Sequence, residues 1–120
     1  MLWAVLFHDE FEPEFNALPV PVQDELLAHA RLLAKIGPTL GRPYVDTLQG
    51  SKHPNMKELR FRVGSGVWRV AFAFDPNRSA ALLVAGDKRG ADEKRFYRSL
   101  IKRADERFDC HLEALRDKEK

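Results

Sequence analysis

Lys57-Glu58-Leu59-Arg60-Phe61-Arg62-Val63, then Gly64-Ser65-Gly66, then Val67-Trp68-Arg69-Val70-Ala71-Phe72-Ala73-Phe74 decide the fold. Leu59, Phe61 and Val63 alternate with Glu58, Arg60 and Arg62. Trp68, Val70, Phe72 and Phe74 alternate with Val67, Arg69, Ala71 and Ala73. Strict alternation of this kind marks a strand with one buried face. A second turn at Asp75 to Arg78 leads into Ala80-Ala81-Leu82-Leu83-Val84-Ala85-Gly86-Asp87-Lys88-Arg89. The whole predicts a three-strand antiparallel meander, apolar on one face and carrying arginines on the other.

Parity restricts the hairpin register. A one-residue slip would turn every side chain of one strand to the wrong face. A three-residue loop pairing Val63 with Val67 would set Phe61 against Arg69 and mix the faces. A two-residue loop keeps them matched, either Gly64-Ser65, which sets Arg60 opposite Arg69, or Ser65-Gly66, which sets Arg62 opposite Arg69. In both registers two arginines become cross-strand neighbours, which costs up to about 1 kcal/mol. With the small Ala71 and Ala73 beside Arg69, the polar face reads as a shallow floor awaiting an anion, most simply a phosphate.

Working outward, Leu2 to Phe7 is a near-continuous apolar run expected to join the meander as a fourth strand, with Trp3 in the core. His8 at its end reads as structural. Asp9 with Glu12 predicts a capping box for a short helix bearing Phe11, Phe15 and Leu18. Pro19 and Pro21 end that helix and start another, whose apolar positions Val22, Leu26, Ala30 and Leu33 run to about Ile36 before Gly37-Pro38 stops it. The two helices predict an αα-hairpin over the apolar face of the sheet. Its excess of acids argues against DNA entry. Thr39 to Met56 reads as a long loop, and its Lys52 and His53, with Lys57, lead towards the arginine face. His53 is there a possible general acid or base. A helix from Ala91-Asp92 carries Phe96, Leu100, Ala104 and Phe108 as its core stripe, with Ile101 beside it and Leu112 and Leu115 extending it. Lys94, Arg95, Arg98, Lys102 and Arg103 take the remaining surface of its first half, and Tyr97 stands at the core edge.

The chain has 120 residues, 44% hydrophobic and 32% charged, as expected of one globular domain. A single cysteine, Cys110, excludes an internal disulfide. No run approaches the ~20 apolar residues of a membrane span, and Leu2 to Phe7 lacks the features of an export signal, so a cytoplasmic location is expected. No phosphate-loop, dinucleotide or metal-ligand pattern appears, and no cofactor or metal is expected. The net charge of +2 hides a partition: −4 over residues 1–49, +8 over residues 50–103 and −2 over residues 104–120. Cations concentrated on the meander and the following helix suit a polyanionic partner.

The order is thus β-α-α-β-β-β-α, a single α+β domain with a meander sheet covered by an αα-hairpin and a C-terminal helix. With Met56-Lys57-Glu58-Leu59-Arg60-Phe61, Val67-Trp68-Arg69-Val70-Ala71-Phe72, Ala85-Gly86-Asp87-Lys88-Arg89, Phe96-Tyr97 and Ala104-Asp105-Glu106-Arg107, it resembles the RelE/ParE superfamily of toxins of type II toxin–antitoxin systems, in its HigB-like, phage-derived branch. The resemblance covers residues 1–112, leaving 113–120 as a charged tail or frayed helix end. It implies a microbial-RNase-like fold and a metal-independent endonuclease that cuts mRNA on the ribosome by 2′-hydroxyl attack. It also implies a cognate antitoxin, usually a helix-turn-helix HigA-like protein in this branch. By the same resemblance Arg69 is the phosphate clamp with Arg60 beside it. Lys88 and Arg89 are the basic pair that holds the phosphate or protonates the leaving group. Tyr97, in competition with Phe96, is the stacking platform or proton donor. Lys57 and His53 are base candidates, and Lys52, His53, Lys57 and Arg62 complete the RNA-binding surface. The alternatives are a ParE-like toxin that inhibits DNA gyrase without catalysis, and a non-toxic RNA- or protein-binding domain.

Overall fold

The computed structural model describes residues 2–118. The elements are β1 (Ala4–Phe7), α1 (Phe11–Asn16), α2 (Val20–Ile36), a 3-10 turn (Gly37–Thr39), β2 (Val45–Thr47), β3 (Lys57–Val63), β4 (Gly66–Phe74), β5 (Ser79–Asp87) and α3 (Glu93–Lys118). They form one five-stranded sheet in the order β1-β5-β4-β3-β2. β1 lies parallel to β5 and the other pairs are antiparallel. The expected four strands are therefore five. Val45–Thr47, read as loop, pairs with Leu59, Glu58 and Lys57 on the outer edge of β3. Three residues are too few to announce a period, and only the partner strand makes them a strand.

The hairpin takes the register with Gly64-Ser65 in the loop: Val63 pairs with Gly66, Phe61 with Trp68 and Arg60 with Arg69. Gly64 has φ +57°, the left-handed backbone such a turn requires. Leu59, Phe61, Val70 and Phe72 then face α1 and α2 and meet Phe11, Leu26 and Leu33 in one core. Leu59, Val70 and Phe72 are fully buried, each contributing about 1.5–3 kcal/mol by leaving water. Trp3 is only half-buried, edge-on to Phe74 at 5.2 Å with Arg78 over its ring.

The opposite face departs from the expected open floor. Ala71 and Ala73 are fully buried beneath Leu100, Ala104 and Phe108 of α3. Their lack of bulk lets the helix lie close to the sheet. Only the end of that face near Glu58, Arg60 and Arg69 escapes cover by the apolar stripe.

Local details also differ. The first helix begins after Glu10 without the Asp9–Glu12 capping box; the Glu10 amide instead donates to His8 Nδ1 at 3.1 Å. Burial holds the His8 imidazole below its ordinary value of 6.5, favouring the neutral ring that can accept this bond. The last helix starts at Glu93, with Asp92 Oδ1 accepting from the Arg95 amide. It continues to Lys118, so of the stretch expected as tail, residues 119–120 lie outside the described residues. In β5 the Leu83 position has no partner in β4, a one-residue bulge. The Leu83 carbonyl accepts instead from Arg107 Nη1 at 2.7 Å. Arg107 also clasps Glu14 through both oxygens, at 2.9 and 2.6 Å, tying α3 to α1 across the sheet edge.

Candidate active site

The sheet's uncovered end and the first turns of α3 enclose a cleft of about 390 Å³, lined among others by Arg42, Gln49, Glu58, Arg60, Lys88 and Tyr97. β3 supplies Glu58 and Arg60 from one face by its two-residue period, β4 supplies Arg69 directly opposite Arg60, and α3 brings Tyr97 down from above. Glu58, read as a solvent-facing acid, is only 3% exposed. Its Oε2 accepts from Arg60 Nη1 at 2.7 Å, and its Oε1 lies 3.7 Å from Arg69 Nε. The two guanidiniums set side by side by the register therefore share one buried carboxylate. This corrects the expectation of a floor awaiting an anion, since an internal carboxylate already stands between the pair. The local sum is one positive charge.

Arg69 is 6% exposed. Its Nε donates to the Tyr97 hydroxyl at 3.2 Å and its Nη1 to the Trp68 carbonyl at 2.9 Å. Because the phenol oxygen accepts from Arg69, its own proton is free for another acceptor. Glu58 Oε1 is the one buried side-chain polar atom without a hydrogen-bond partner among the described residues. A buried carboxylate oxygen without a hydrogen bond is costly, by about 1–3 kcal/mol or more, and here only the Arg69 guanidinium at 3.7 Å offsets that cost.

The other sequence-predicted residues are placed unequally. Lys88 borders the cleft, pairing with Glu93 at 3.0 Å and standing 5.5 Å from the Tyr97 ring centre. Arg89 is exposed and reaches Ser65 in the hairpin turn. Arg62 is exposed on the Arg60 face, with no carboxylate partner among the described residues. Lys57 shares the parity of Leu59 and turns to the other side of the sheet, where Nζ donates to the Pro38 carbonyl at 3.0 Å. His53 bonds Asp109 at 2.8 Å and lies edge-on to Phe108, while Lys52 pairs with the same Asp109. Asp109 is twelve residues beyond Tyr97, about 18 Å down the helix axis. The structure thus assembles Arg60, Arg69, Lys88 and Tyr97 and leaves Lys52, His53 and Lys57 elsewhere. Tyr97 rather than Phe96 enters the cleft; Phe96 packs so near Gly86 that a Cβ there would lie 2.9 Å from its ring.

Comparison with known proteins agrees with this architecture. Residues 13–109 match the family described as phage derived protein Gp49-like (DUF891). Two curated relatives from Mycobacterium tuberculosis are each 44% identical: one named "Putative toxin HigB2", over 103 residues and 85% of this chain, and one named "Putative toxin HigB3", over 109 residues and 91% of this chain. The chain spans about half (51%) of the first relative's length and 93% of the second's. A solved structure of an E. coli toxin RelE mutant in the free state superposes with a TM-score of 0.62. At 15% identity, covering 84% of this chain and 95% of that one, it attests the shared fold alone.

Proposed function

The chain belongs to the phage-derived Gp49-like family, and from that membership and the chemistry of the cleft we infer that it is the toxin of a HigB/RelE-like toxin–antitoxin pair, acting as an endoribonuclease on ribosome-bound mRNA. The observation that carries the catalytic part is the Glu58 carboxylate buried between Arg60 and Arg69, with the Tyr97 hydroxyl bonded to the same Arg69. RNA cleavage without a metal needs a base for the 2′-hydroxyl proton, cations for the charge of the phosphorane and an acid for the departing 5′ oxygen. Glu58, the carboxylate set between the two arginines, is taken as the base in this scheme instead of His53 and Lys57. Arg60 and the Nη2 of Arg69, which makes no protein hydrogen bond among the described residues, hold the phosphate in this scheme. Tyr97, its proton unused by Arg69, is the acid, with Lys88 beside it lowering the cost of the phenolate. No residue in this scheme acts through a metal or cofactor. A carboxylate between the arginines also explains how like charges tolerate each other before substrate arrives. The partners that follow are mRNA on the ribosome and a cognate antitoxin, expected to be a helix-turn-helix protein of the HigA kind.

The test is induction in growing cells with primer extension on cellular mRNA. Discrete breaks inside translated codons, lost together with growth inhibition in Arg69→Ala, support the reading. Growth arrest with intact mRNA and DNA damage would transfer the protein to the gyrase-directed class.

A further inference from the structure

Tyr97 is also the ridge between the cleft and a second groove, of about 510 Å³, that shares Gln49, Lys94 and Tyr97 with it and runs on along α3. The floor of this groove is Tyr97 and Ile101, one turn apart and both half-buried. One bank carries Lys94, Arg98 and Lys102, spaced four residues apart and so stacked on one side of the helix. The other bank is Gln49-Gly50. At the far end Asp105 holds Ser51 Oγ and the Lys52 amide, pinning the loop to the helix and closing the channel.

The three cations are unpaired among the described residues, like Arg95 and Arg103 beside a different pocket and unlike several others of the chain. Lys52, Lys88, Arg42 and Arg107 each have a carboxylate partner within the chain. Lys94, Arg98 and Lys102 are exposed and have none among the described residues. Like charges four residues apart each weaken a helix by a few tenths of a kcal/mol, and no salt bridge among the described residues offsets that here. The stripe covers about 12 Å of helix, ends at the base of the cleft and lies beside one aromatic and one aliphatic side chain. Cations that follow a backbone, next to a surface on which bases can stack, are the requirements for holding single-stranded nucleic acid.

We propose that this groove carries the same RNA strand out of the cleft, with Lys94, Arg98 and Lys102 on successive phosphates and a flanking base laid on Tyr97 and Ile101. The inference rests on the endoribonuclease reading, since the strand is taken to continue from the cleaved linkage. An acidic protein surface would suit the charges equally, but it would not need continuity with the cleft or an apolar floor.

Binding is measured with 2′-O-methylated oligoribonucleotides, which cannot be cleaved. A short one fills the cleft alone and a longer one reaches past Tyr97. The comparison is between the wild type and the double variant Arg98→Gln, Lys102→Gln, which spares Lys94 because it also lines the cleft. For the long strand, the slope of log affinity against log salt should fall by about 1.4, two phosphate contacts at about 0.7 each, while the short strand binds both proteins alike. A long strand that binds the variant with the wild-type slope overturns the groove while leaving the cleavage reading intact. Wild-type protein that binds neither length also overturns the groove, while the cleavage reading stands or falls by primer extension on cellular mRNA. Because both residues are exposed, the urea midpoint of the variant is expected to match the wild type, and that is checked on the same samples.

Discussion

Replacing Glu58 by Gln keeps the shape of the side chain and removes one buried negative charge. Arg60 has 22% of its side chain exposed and can turn towards water once released; the Arg69 side chain is 7% exposed and cannot. One guanidinium is left buried without a counter-charge, keeping its bonds to the Tyr97 hydroxyl and the Trp68 carbonyl. Breaking a buried pair from one side costs about 3–5 kcal/mol. The amide oxygen of Gln still offers Arg69 an acceptor, so the lower limit, about 3 kcal/mol, is expected. With a urea slope of about 1–3 kcal/mol per molar, the unfolding midpoint falls by roughly 1–3 M. Urea titration followed by tryptophan fluorescence measures this directly. Glu58→Gln should also slow RNA cleavage by about 10²–10⁴-fold, the usual contribution of a general base. The double variant Glu58→Gln, Arg69→Met separates the two effects: removing both charges recovers much of the stability and none of the activity. A Glu58→Gln protein within about 0.5 kcal/mol of wild type, the range of an ordinary surface change, would refute the claim that this carboxylate neutralises the arginine pair.

Tyr97→Phe keeps the ring and removes the hydroxyl; cleavage in a translating extract is expected to fall about 10²-fold while stability drops by only about 1 kcal/mol, and an undiminished rate would exclude the phenol as proton donor. Arg107→Met leaves the bulged Leu83 carbonyl and the Glu14 carboxylate without their donor, so thermal unfolding should show a loss of about 2–4 kcal/mol with the cleft chemistry intact at lower temperature. The Arg107 hydrogen bonds hold the Glu14 carboxyl below its ordinary value of 4.5. A lowered carboxylate pKa adds stability above the unfolded value that is lost as pH falls through the folded one. The urea midpoint of wild type should therefore exceed that of Glu14→Gln at neutral pH, and the gap should close as pH falls below about 4.5; a gap that is constant with pH would contradict this.

The meander, its two-residue turn and the amphipathic helices were legible because each element repeats its own period over at least a full turn or several alternations. The parity argument left two registers, and the Gly64-Ser65 loop is the one adopted. The same parity already put Lys57 with Leu59 rather than with Arg60, a signal sufficient to remove it from the cleft. The clasp of Ser51, Lys52 and His53 by Asp105 and Asp109 spans more than fifty residues of sequence, and no local pattern announces it. Glu58 was missed for a related reason. On a half-exposed strand an acid at a polar position reads as solvated, and it is buried here between Arg60 and Arg69. The alanines of β4 were read as floor, whereas they are the seat of α3.

The chemistry of the cut ends of mRNA, recovered from ribosomes translating a defined message with the purified protein, tests the proposed cleft most directly. Attack by the 2′-hydroxyl leaves a 2′,3′-cyclic phosphate and a 5′-hydroxyl, and both should appear with wild type and disappear with Arg69→Ala and Glu58→Gln. Fragments ending in a 3′-hydroxyl, or an uncut message in the presence of active wild-type toxin, would contradict it.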